Sequence, residues 1–225
     1  MTWTPLPEPR PRPQVQPYTP YVWPHGTFVA LPQPAEGGGP PMFEALAQRR
    51  SVRELKALPV ESLGALLWHS QRRLAWAPSP LGFELERRPA PSGGAIHPIH
   101  VLAFDPQTGA WGRYDGVRHG LHDLGDQVPM LEGLVEQARS LVADPAATML
   151  WLVAEPGKTE AKYEHSQSVV WRDAGVLQGY LVAVAAGLGL GTCLLGMTGQ
   201  AWAARLADQG QLAGVGALWV GGRTV

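Results

Sequence analysis

The sequence predicts an α+β fold in which a mixed β-sheet packs around one long buried helix. The main observation is residues 169–196, a stretch that carries no formal charge after Asp173. Its apolar residues recur at alternating steps of four and three, and from Tyr180 onward the flanking residues are also apolar or small. A helix that is apolar nearly all round is buried. The second observation is the order of elements, which runs helices, a hairpin, a helix, a strand, the long helix and a final strand.

The same uncharged stretch is long enough to be considered as a membrane span, and it contains two GxxxG spacings. Three features argue against a span. The C-terminal half is rich in glycine, Gln178 lies inside it, and no cluster of Lys or Arg follows Gly196. We therefore expect a core helix that ends in a glycine-rich turn at residues 187–191.

The other helices are predicted from apolar spacing and from the residues at their ends. Residues 42–50 place Phe43, Leu46 and Ala47 on one face. Residues 59–74 begin with a proline and end with two arginines, which is typical of a helix. Amphipathic spacing predicts further helices at residues 128–142 and 200–207.

The strands are predicted from short apolar runs between turn residues. Residues 99–105 and 110–114 form a hairpin, residues 148–154 (TMLWLVA) a buried strand, and residues 192–195 an extended segment after the glycine turn. Residues 215–221 form the final strand. Residues 75–90 are expected to be irregular, and residues 155–168 to be a polar connection.

Proline is concentrated at the N-terminus, where residues 1–41 hold 12 of the 22 prolines. We treat residues 1–41 as a proline-rich arm that favours polyproline II, residues 36–41 as its hinge, and residues 42–225 as the domain. The arm is either disordered or wraps a partner subunit through Tyr18, Tyr21 and Trp23. Aromatic residues are rare in disordered segments, which favours order from about Tyr18.

The composition excludes several classes of function. The chain has 225 residues and a formal net charge of −1, so it offers no bulk attraction to nucleic acid or to an anionic membrane. Its single cysteine, Cys193, excludes an intramolecular disulfide and a zinc site built from cysteines. The N-terminus lacks the apolar segment of a secretory signal, so a cytoplasmic location is expected.

Two short motifs could bind a ligand. In Arg49-Arg50-Ser51-Val52-Arg53, three arginines around a serine offer forked donors suited to phosphate, although a solvated basic helix end explains the spacing equally simply. In Pro91-Ser92-Gly93-Gly94, adjacent glycines allow a ligand to approach backbone N–H groups, although this is also an ordinary surface turn.

Metal binding is not expected. His97 and His100 would point to opposite faces of a strand, and no third ligand is near them in the sequence. A ligand with a phosphate tail and a flat polar ring would use both motifs and the glycine turn together. Neither GxGxxG nor GxxxxGK[ST] is present in its required context, which excludes Rossmann and P-loop sites.

In the order and spacing of these motifs, the chain resembles the nitroreductase-like flavoproteins, and within them the SagB-type dehydrogenase branch. The resemblance extends over about residues 28–223. The segments that carry it are ALAQRRSVREL (45–55), LGALLWHSQRRL (63–74), PSGGAIHPIHVLAF (91–104), GRYDGVRHGLHDL (112–124), AKY (161–163) and GLGLGTCLLG (187–196).

The resemblance implies a domain-embracing homodimer with FMN at the subunit interface. The 49–53 motif would hold the phosphate, the ribityl chain and the pyrimidine edge, and the 91–93 turn would lie against the isoalloxazine from the other subunit. The backbone of residues 195–196 would lie near N5 and O4. The residues implied to bind FMN are Arg49, Arg50, Ser51, Arg53, Pro91, Ser92, Gly93, Leu195, Gly196 and Arg223.

The resemblance also implies a catalytic pair, because Lys162 and Tyr163 match a Lys-Tyr pair of azoline-oxidising members. A lysine with a lowered pKa would take a proton from the ring carbon while hydride passes to N5. The alternative is a solvated loop pair. The chain departs from the branch after this pair, with His165 where arginines are usual and Val176 where a histidine is usual.

The function implied is that of an FMN-dependent oxidoreductase that transfers hydride at N5 and oxidises azolines in a modified peptide. Two alternatives stay open. One is an NAD(P)H-dependent nitro- or quinone reductase. The other is a non-catalytic flavin-fold subunit that serves as a partner in a peptide-modification complex.

Overall fold

The computed structural model describes residues 2–24, 26–35, 39–143, 146–207 and 210–223. The helices of these residues are α1 (Met42–Gln48), α2 (Val60–Gln71), α3 (Leu134–Leu141), α4 (Pro156–Glu160), α5 (Gln167–Gly187) and α6 (Gln200–Leu206). The strands are β1 (Arg10–Pro11), β2 (Phe28–Ala30), β3 (Leu55–Lys56), β4 (Ala75–Ala77), β5 (Leu85–Arg87), β6 (Ile99–Phe104), β7 (Trp111–Asp115), β8 (Gly120–Asp123), β9 (Thr148–Ala154), β10 (Tyr163–Glu164), β11 (Leu190–Leu195) and β12 (Ala213–Arg223).

An eight-stranded sheet forms the centre of the molecule. Its strand order is β11-β12-β9-β6-β7-β8-β2, and β3 pairs with the end of β12. The α+β class is confirmed, but the prediction of a mixed sheet is wrong. Each paired strand of this sheet runs antiparallel to its neighbour, since β6, β7 and β8 follow one another through short turns that cannot make parallel crossovers.

The central strand β9 is buried along its whole length and separates two apolar cores. Alternate residues of a strand point to opposite faces of the sheet. Leu150 and Leu152 therefore pack with α2 and α5, whereas Met149, Trp151 and Val153 pack with α3 and α6. Burial on both faces explains why the sequence of β9 is a continuous apolar run rather than an alternating one.

The long helix exists where it was predicted, but its burial is one-sided. Leu177, Leu181 and the small residues in register with them pack on the sheet. The opposite side is open in the single chain, where Trp171, Val176 and Tyr180 are 42%, 37% and 39% exposed. The expectation of burial all round is wrong for one chain. No helix in the described ranges is long and apolar enough to cross a membrane.

Two predicted segments differ from the structure. Residues 128–142 do not form one helix. A 3-10 segment at Gly125–Leu131 precedes α3, because Pro129 lacks a backbone donor and Gly133 adopts a left-handed conformation with φ 83°. Residues 75–90 are not irregular, since β4 and β5 form a hairpin there. Its strands are only three residues long, too short to show an alternating pattern.

The proline-rich arm packs on its own chain. Trp23 is buried in the core, the Tyr21 hydroxyl donates to the Leu206 carbonyl at 2.8 Å, and β2 completes the edge of the sheet. The Tyr18 N–H donates to the Leu81 carbonyl at 2.8 Å. Tyr18, Tyr21 and Trp23 therefore all contact their own chain, and an arm that wraps a partner subunit stays a prediction. Half of the predicted hinge, residues 36–38, lies outside the described residues.

Candidate functional site

The Pro-Ser-Gly-Gly turn is fixed to α5 by one buried carboxylate. Asp173 accepts hydrogen bonds from the Ser92 hydroxyl at 2.6 Å and from the Gly93 N–H at 2.9 Å. The Ser92 oxygen in turn accepts the His97 N–H at 3.0 Å. Sequence reasoning left Asp173 out of the site. The signal was present, because Asp173 is the last charge before the uncharged part of the helix.

The backbone after this turn is unusual. Gly94, Ala95 and His97 all have left-handed conformations, with φ of 69°, 59° and 48°. Such a conformation costs a residue other than glycine about 1–2 kcal/mol. It persists where surrounding contacts fix the chain, and such strain concentrates at ligand sites. Here the hydrogen bonds around Ser92 fix the chain.

Lys162 and Tyr163 lie directly against this turn. A Cβ atom added to Gly94 would come within 2.8 Å of the Lys162 ammonium nitrogen and 3.0 Å of the Tyr163 hydroxyl. Only glycine leaves room for both side chains. The Lys162 nitrogen is also 5.6 Å from the centroid of the Tyr163 ring. The structure thus brings the predicted catalytic pair to the predicted flavin-binding turn, although the two are far apart in sequence.

The N-terminal arm covers the backbone of the same pair. β1 pairs with β10, which places Pro11 opposite Tyr163. The Arg12 N–H donates to the Lys162 carbonyl at 2.8 Å, and the Gln16 N–H to the Ala161 carbonyl at 2.9 Å. The arm therefore acts as an added strand along the segment that carries Lys162. Sequence reasoning gave no reason to place the arm at the site.

The basic motif lies beside the beginning of β11. Ser51 forms a parallel bridge with Thr192, and the Val52 N–H donates to the Thr192 carbonyl at 2.8 Å. Arg223 reaches the same place from β12, where its Nε donates to the Leu190 carbonyl at 3.1 Å. The structure therefore places Ser51 and Arg223 of the predicted phosphate site against the same strand, β11.

Three arginines of this motif are exposed and without a counter-charge. The ion pairs among the described residues involve other side chains, and none includes Arg49, Arg50 or Arg53. Guanidinium groups bind phosphate through paired, charge-assisted hydrogen bonds, and none of these three is held in an ion pair with a carboxylate of the described residues. The donor set thus fits a phosphate.

The turn and the basic motif are not adjacent in one chain. The turn is bound to Asp173 in the first half of α5, whereas the motif is bound to Thr192 of β11, beyond the C-terminal end of that helix. The helix rises about 1.5 Å per residue, so its end at Gly187 is roughly 21 Å from Asp173. Leu195 and Gly196 lie at the far end of β11, where Gly196 is exposed and has no atom within 4 Å of an added Cβ.

A cleft of about 520 Å³ opens beside the turn. The β4–β5 hairpin forms one wall and contributes Trp76 and Arg87, while Pro91, Ser92 and Ala95 form the other. Trp76 is 56% exposed, which is unusual for so large an apolar side chain. This cleft could not be predicted, because residues 75–90 were expected to be irregular.

Two buried histidines lie behind the site. Burial, aided by Arg88, lowers the pKa of His97 to about 4. Burial also lowers the pKa of His100 to about 4, although the Glu155 carboxylate raises it. Glu155 accepts a hydrogen bond from the His100 Nε2 at 3.0 Å. Burial opposes a charge on Glu155, but this bond and the Tyr21 N–H together hold its pKa below the usual range.

The two histidines do not lie on one strand. His97 precedes β6, whereas His100 lies on β6 and its side chain is hydrogen-bonded to Glu155. No group of three His, Cys, Asp or Glu side chains in the described part of the chain is placed to hold a metal ion.

The fold is shared with solved structures. A protein from Ralstonia eutropha JMP134 described as a nitroreductase has a TM-score of 0.65 and 20% identity, over 97% of this chain and 99% of its own. A Desulfovibrio desulfuricans protein, described as a nitroreductase in complex with FMN, has a TM-score of 0.52 and 19% identity, over 84% and 92%.

A chain of the E. coli microcin synthetase McbBCD complex, with truncated pro-MccB17 bound, has a TM-score of 0.55 and 19% identity, over 76% of this chain and 66% of its own. No curated protein matches the chain in sequence. The model of the nitroreductase family matches residues 46–219, which is most of the sequence. The chain therefore belongs to the nitroreductase family.

Proposed function

We propose that this protein is an FMN-dependent oxidoreductase that transfers hydride at the flavin N5. The observation that carries this proposal is that Arg49, Arg50 and Arg53 make no ion pair among the described residues, in a motif bound to β11, where Arg223 is also bound. Bound FMN would supply the two-electron chemistry. The arginines would hold its phosphate and place positive charge near the ring, which favours the anionic reduced flavin.

A homodimer would complete the site. The turn at residues 91–93 is bound to Asp173 of α5, whereas the basic motif is bound to β11 beyond the end of that helix, so one chain offers two half-sites. A two-fold axis with antiparallel α5 helices would bring the turn of one subunit towards the basic motif of the other. The open side of α5 and the exposed apolar residues of α1, Met42 and Phe43 at 68% and 84%, offer the surface for this contact.

Lys162 and Tyr163 would handle the proton. In the proposed reaction an azoline ring loses a proton from one carbon and a hydride from the neighbouring carbon, and becomes aromatic. The ammonium group of Lys162, once deprotonated, can accept that proton, and the Tyr163 hydroxyl lies beside the same turn to orient it. The likeness to the McbBCD chain and the matched motifs support assignment to the SagB-type branch.

A second candidate has a specific observation in its favour. β1 occupies the edge of β10, the edge on which an extended peptide would add as a strand. This leaves less room for a long peptide beside Lys162 and favours a small substrate, as in an NAD(P)H-dependent nitro- or quinone reductase. Turnover of a nitroarene or a quinone with NAD(P)H, compared with turnover of a thiazoline, separates the two candidates.

The first test is the absorbance spectrum of the purified protein, with mass identification of any released cofactor. We expect FMN at about one per chain, as equivalent sites of a symmetric dimer require. The double variant Arg49→Ala/Arg53→Ala is expected to lose the flavin while keeping the circular dichroism of the native fold. Arg118→Ala/Arg205→Ala removes two distant surface arginines and serves as the matched control.

A protein that never binds FMN, even when FMN is added, would support the non-catalytic partner subunit instead. Full flavin occupancy in Arg49→Ala/Arg53→Ala would show that the phosphate site has been assigned to the wrong residues. Loss of flavin in the control variant as well would point to a general effect of charge rather than to a site.

A further inference from the structure

We infer that the cleft between the β4–β5 hairpin and the 91–97 turn is the substrate site, and that it takes a small azoline or aromatic ring bearing one carboxylate. This inference rests on the proposed function for its choice of ring. The choice of a carboxylate on the ligand follows from the charges around the cleft, and the choice of a small ring follows from the volume of the cleft. Neither depends on the flavin.

The cleft has the size and lining of a small-molecule site. Its volume of about 520 Å³ lies within the range of about 300–1,000 Å³ that is usual for ligand pockets. Trp76 lines the cleft, with the Arg73 guanidinium 5.9 Å from its ring centroid, and Ala77 and Leu85 line it from the other face of the hairpin. A ring with short substituents fits this space.

One of the charged side chains around the hairpin is an arginine without an acidic partner among the described residues. Arg73 pairs with Glu84 at 2.7 Å and Arg88 pairs with Glu86 at 2.6 Å, so these four charges cancel. Arg87 lines the cleft, lies on the exposed surface, and makes no ion pair with any described residue. A planar guanidinium binds a carboxylate through two parallel hydrogen bonds. The cleft therefore suits a ligand with a single negative charge.

The position of the cleft connects it to the reaction. Pro91, Ser92 and Ala95 form its wall, and Gly94, between them, contacts Lys162 and Tyr163. A ring held against this wall by a carboxylate on Arg87 would lie next to the turn proposed to face the flavin. In such a ring the carbon that carries the carboxylate is one of the two neighbouring carbons that lose hydrogen in azoline oxidation.

The test is calorimetric titration of the purified full-length protein with 2-phenylthiazoline-4-carboxylate and with its methyl ester. The two probes share ring and shape and differ in charge. We expect the carboxylate to bind at least tenfold more tightly than the ester. In Arg87→Gln this preference is expected to disappear because the carboxylate falls to the affinity of the ester. Arg118→Gln, a control at another exposed arginine, is expected to keep the preference.

Trp76→Ala is expected to weaken the binding of both probes alike, because it removes the indole ring that lines the cleft and leaves the charge of Arg87 in place. Equal affinity of the two probes for the unaltered protein, absence of binding, or a preference that survives in Arg87→Gln would each overturn the inference. A peptide that ends in the same ring, compared with one that carries the ring internally, distinguishes a free acid from a modified C-terminus as the source of the carboxylate.

The flavin content of each sample separates this inference from the proposed function. Carboxylate binding through Arg87 in a protein that cannot bind FMN would support the substrate site in the cleft and refute the oxidoreductase function. A flavin-loaded protein that does not prefer the carboxylate would refute the substrate site and leave the oxidoreductase function supported.

Discussion

Gly94 is the residue on which the geometry of the proposed catalytic pair depends most directly. Gly94→Ala would introduce a Cβ within 2.8 Å of the Lys162 nitrogen and 3.0 Å of the Tyr163 hydroxyl, at a φ of 69°. The left-handed conformation alone costs an alanine about 1–2 kcal/mol. The two side chains must also move. We expect a strong loss of turnover together with this modest loss of stability.

Gly109 provides a matched control for that variant. It has a φ of 74°, and no atom lies within 4 Å of an added Cβ. Gly109→Ala should therefore show the same conformational cost in urea unfolding but full turnover. Equal turnover in the two variants would mean that the positions of Lys162 and Tyr163 do not matter to the reaction.

His97 and His100 make the stability of the fold depend on pH. Both have a native pKa of about 4, below the value of about 6.5 expected in the unfolded chain. Between these values the unfolded chain binds protons that the native protein does not. The contribution of the two neutral histidines to the free energy of unfolding is therefore complete above about pH 6.5, and it is lost as the pH falls towards 4. At pH 5 the loss is on the order of 2 kcal/mol for each histidine.

The measurement is the free energy of unfolding in urea at pH 7 and at pH 5. We expect His97→Gln to show a smaller difference between these two pH values than the unaltered protein. His165→Asn changes an exposed histidine and should leave the difference unchanged. A pH difference that is the same in His97→Gln and in the unaltered protein would contradict the role of burial at this residue.

Among the elements, the arm strand β1 is the least expected part of the site. Deletion of residues 2–16 removes the pairing of β1 with β10 and the bonds to the Lys162 and Ala161 carbonyls. Tyr18, Tyr21 and Trp23 remain, and they hold the rest of the arm in the core. We expect the truncated protein to fold, with faster amide hydrogen exchange confined to about residues 160–165.

Deletion of residues 2–8 alone is the control, since it stops before Arg10 and leaves both backbone bonds intact. We expect no change in exchange for this shorter deletion. Unchanged exchange near Lys162 in the longer deletion would show that the arm rests on the segment without holding it. Lower turnover with an unchanged flavin content would support a positioning role for the arm.

The elements differ in how far the sequence could predict them. The sequence predicted α5 and β9 correctly because their apolar patterns are long. Burial of one side of α5 and of both faces of β9 produces these patterns. The hairpin of Ala75–Ala77 and Leu85–Arg87 was missed because its strands are short and stand largely in solvent. The helix at residues 128–142 was predicted in one piece because apolar spacing continues across Gly133, where the backbone turns.

At the scale of the whole molecule, the motifs were predictable and their arrangement was not. The Arg-Arg-Ser-x-Arg and Pro-Ser-Gly-Gly segments are visible in the sequence, but nothing in it shows that the first lies against the beginning of β11 and the second against Asp173 of α5. Nor does periodicity show which side of an apolar helix meets its own sheet and which side meets a neighbour. The exposed side of α5 became visible only when the fold placed the sheet on the other side.

That exposed side yields the last prediction. Val176 lies in its middle, and added Cβ atoms at Gly175 and Gly179 would meet nothing, so a second helix could approach closely. Val176→Arg places a charge in the proposed subunit contact. We expect a dimer for the unaltered protein in light scattering, and a monomer for Val176→Arg that has also lost its FMN, because each chain then has only half of the flavin site.

Leu141→Arg is the matched control, since Leu141 is an exposed apolar residue on α3, away from α5. It should remain a flavin-bound dimer. A monomeric Val176→Arg that keeps FMN at one per chain would show that a single subunit completes the site. The turn at residues 91–93 and the basic motif would then have to serve different ligands, at two separate sites of one chain.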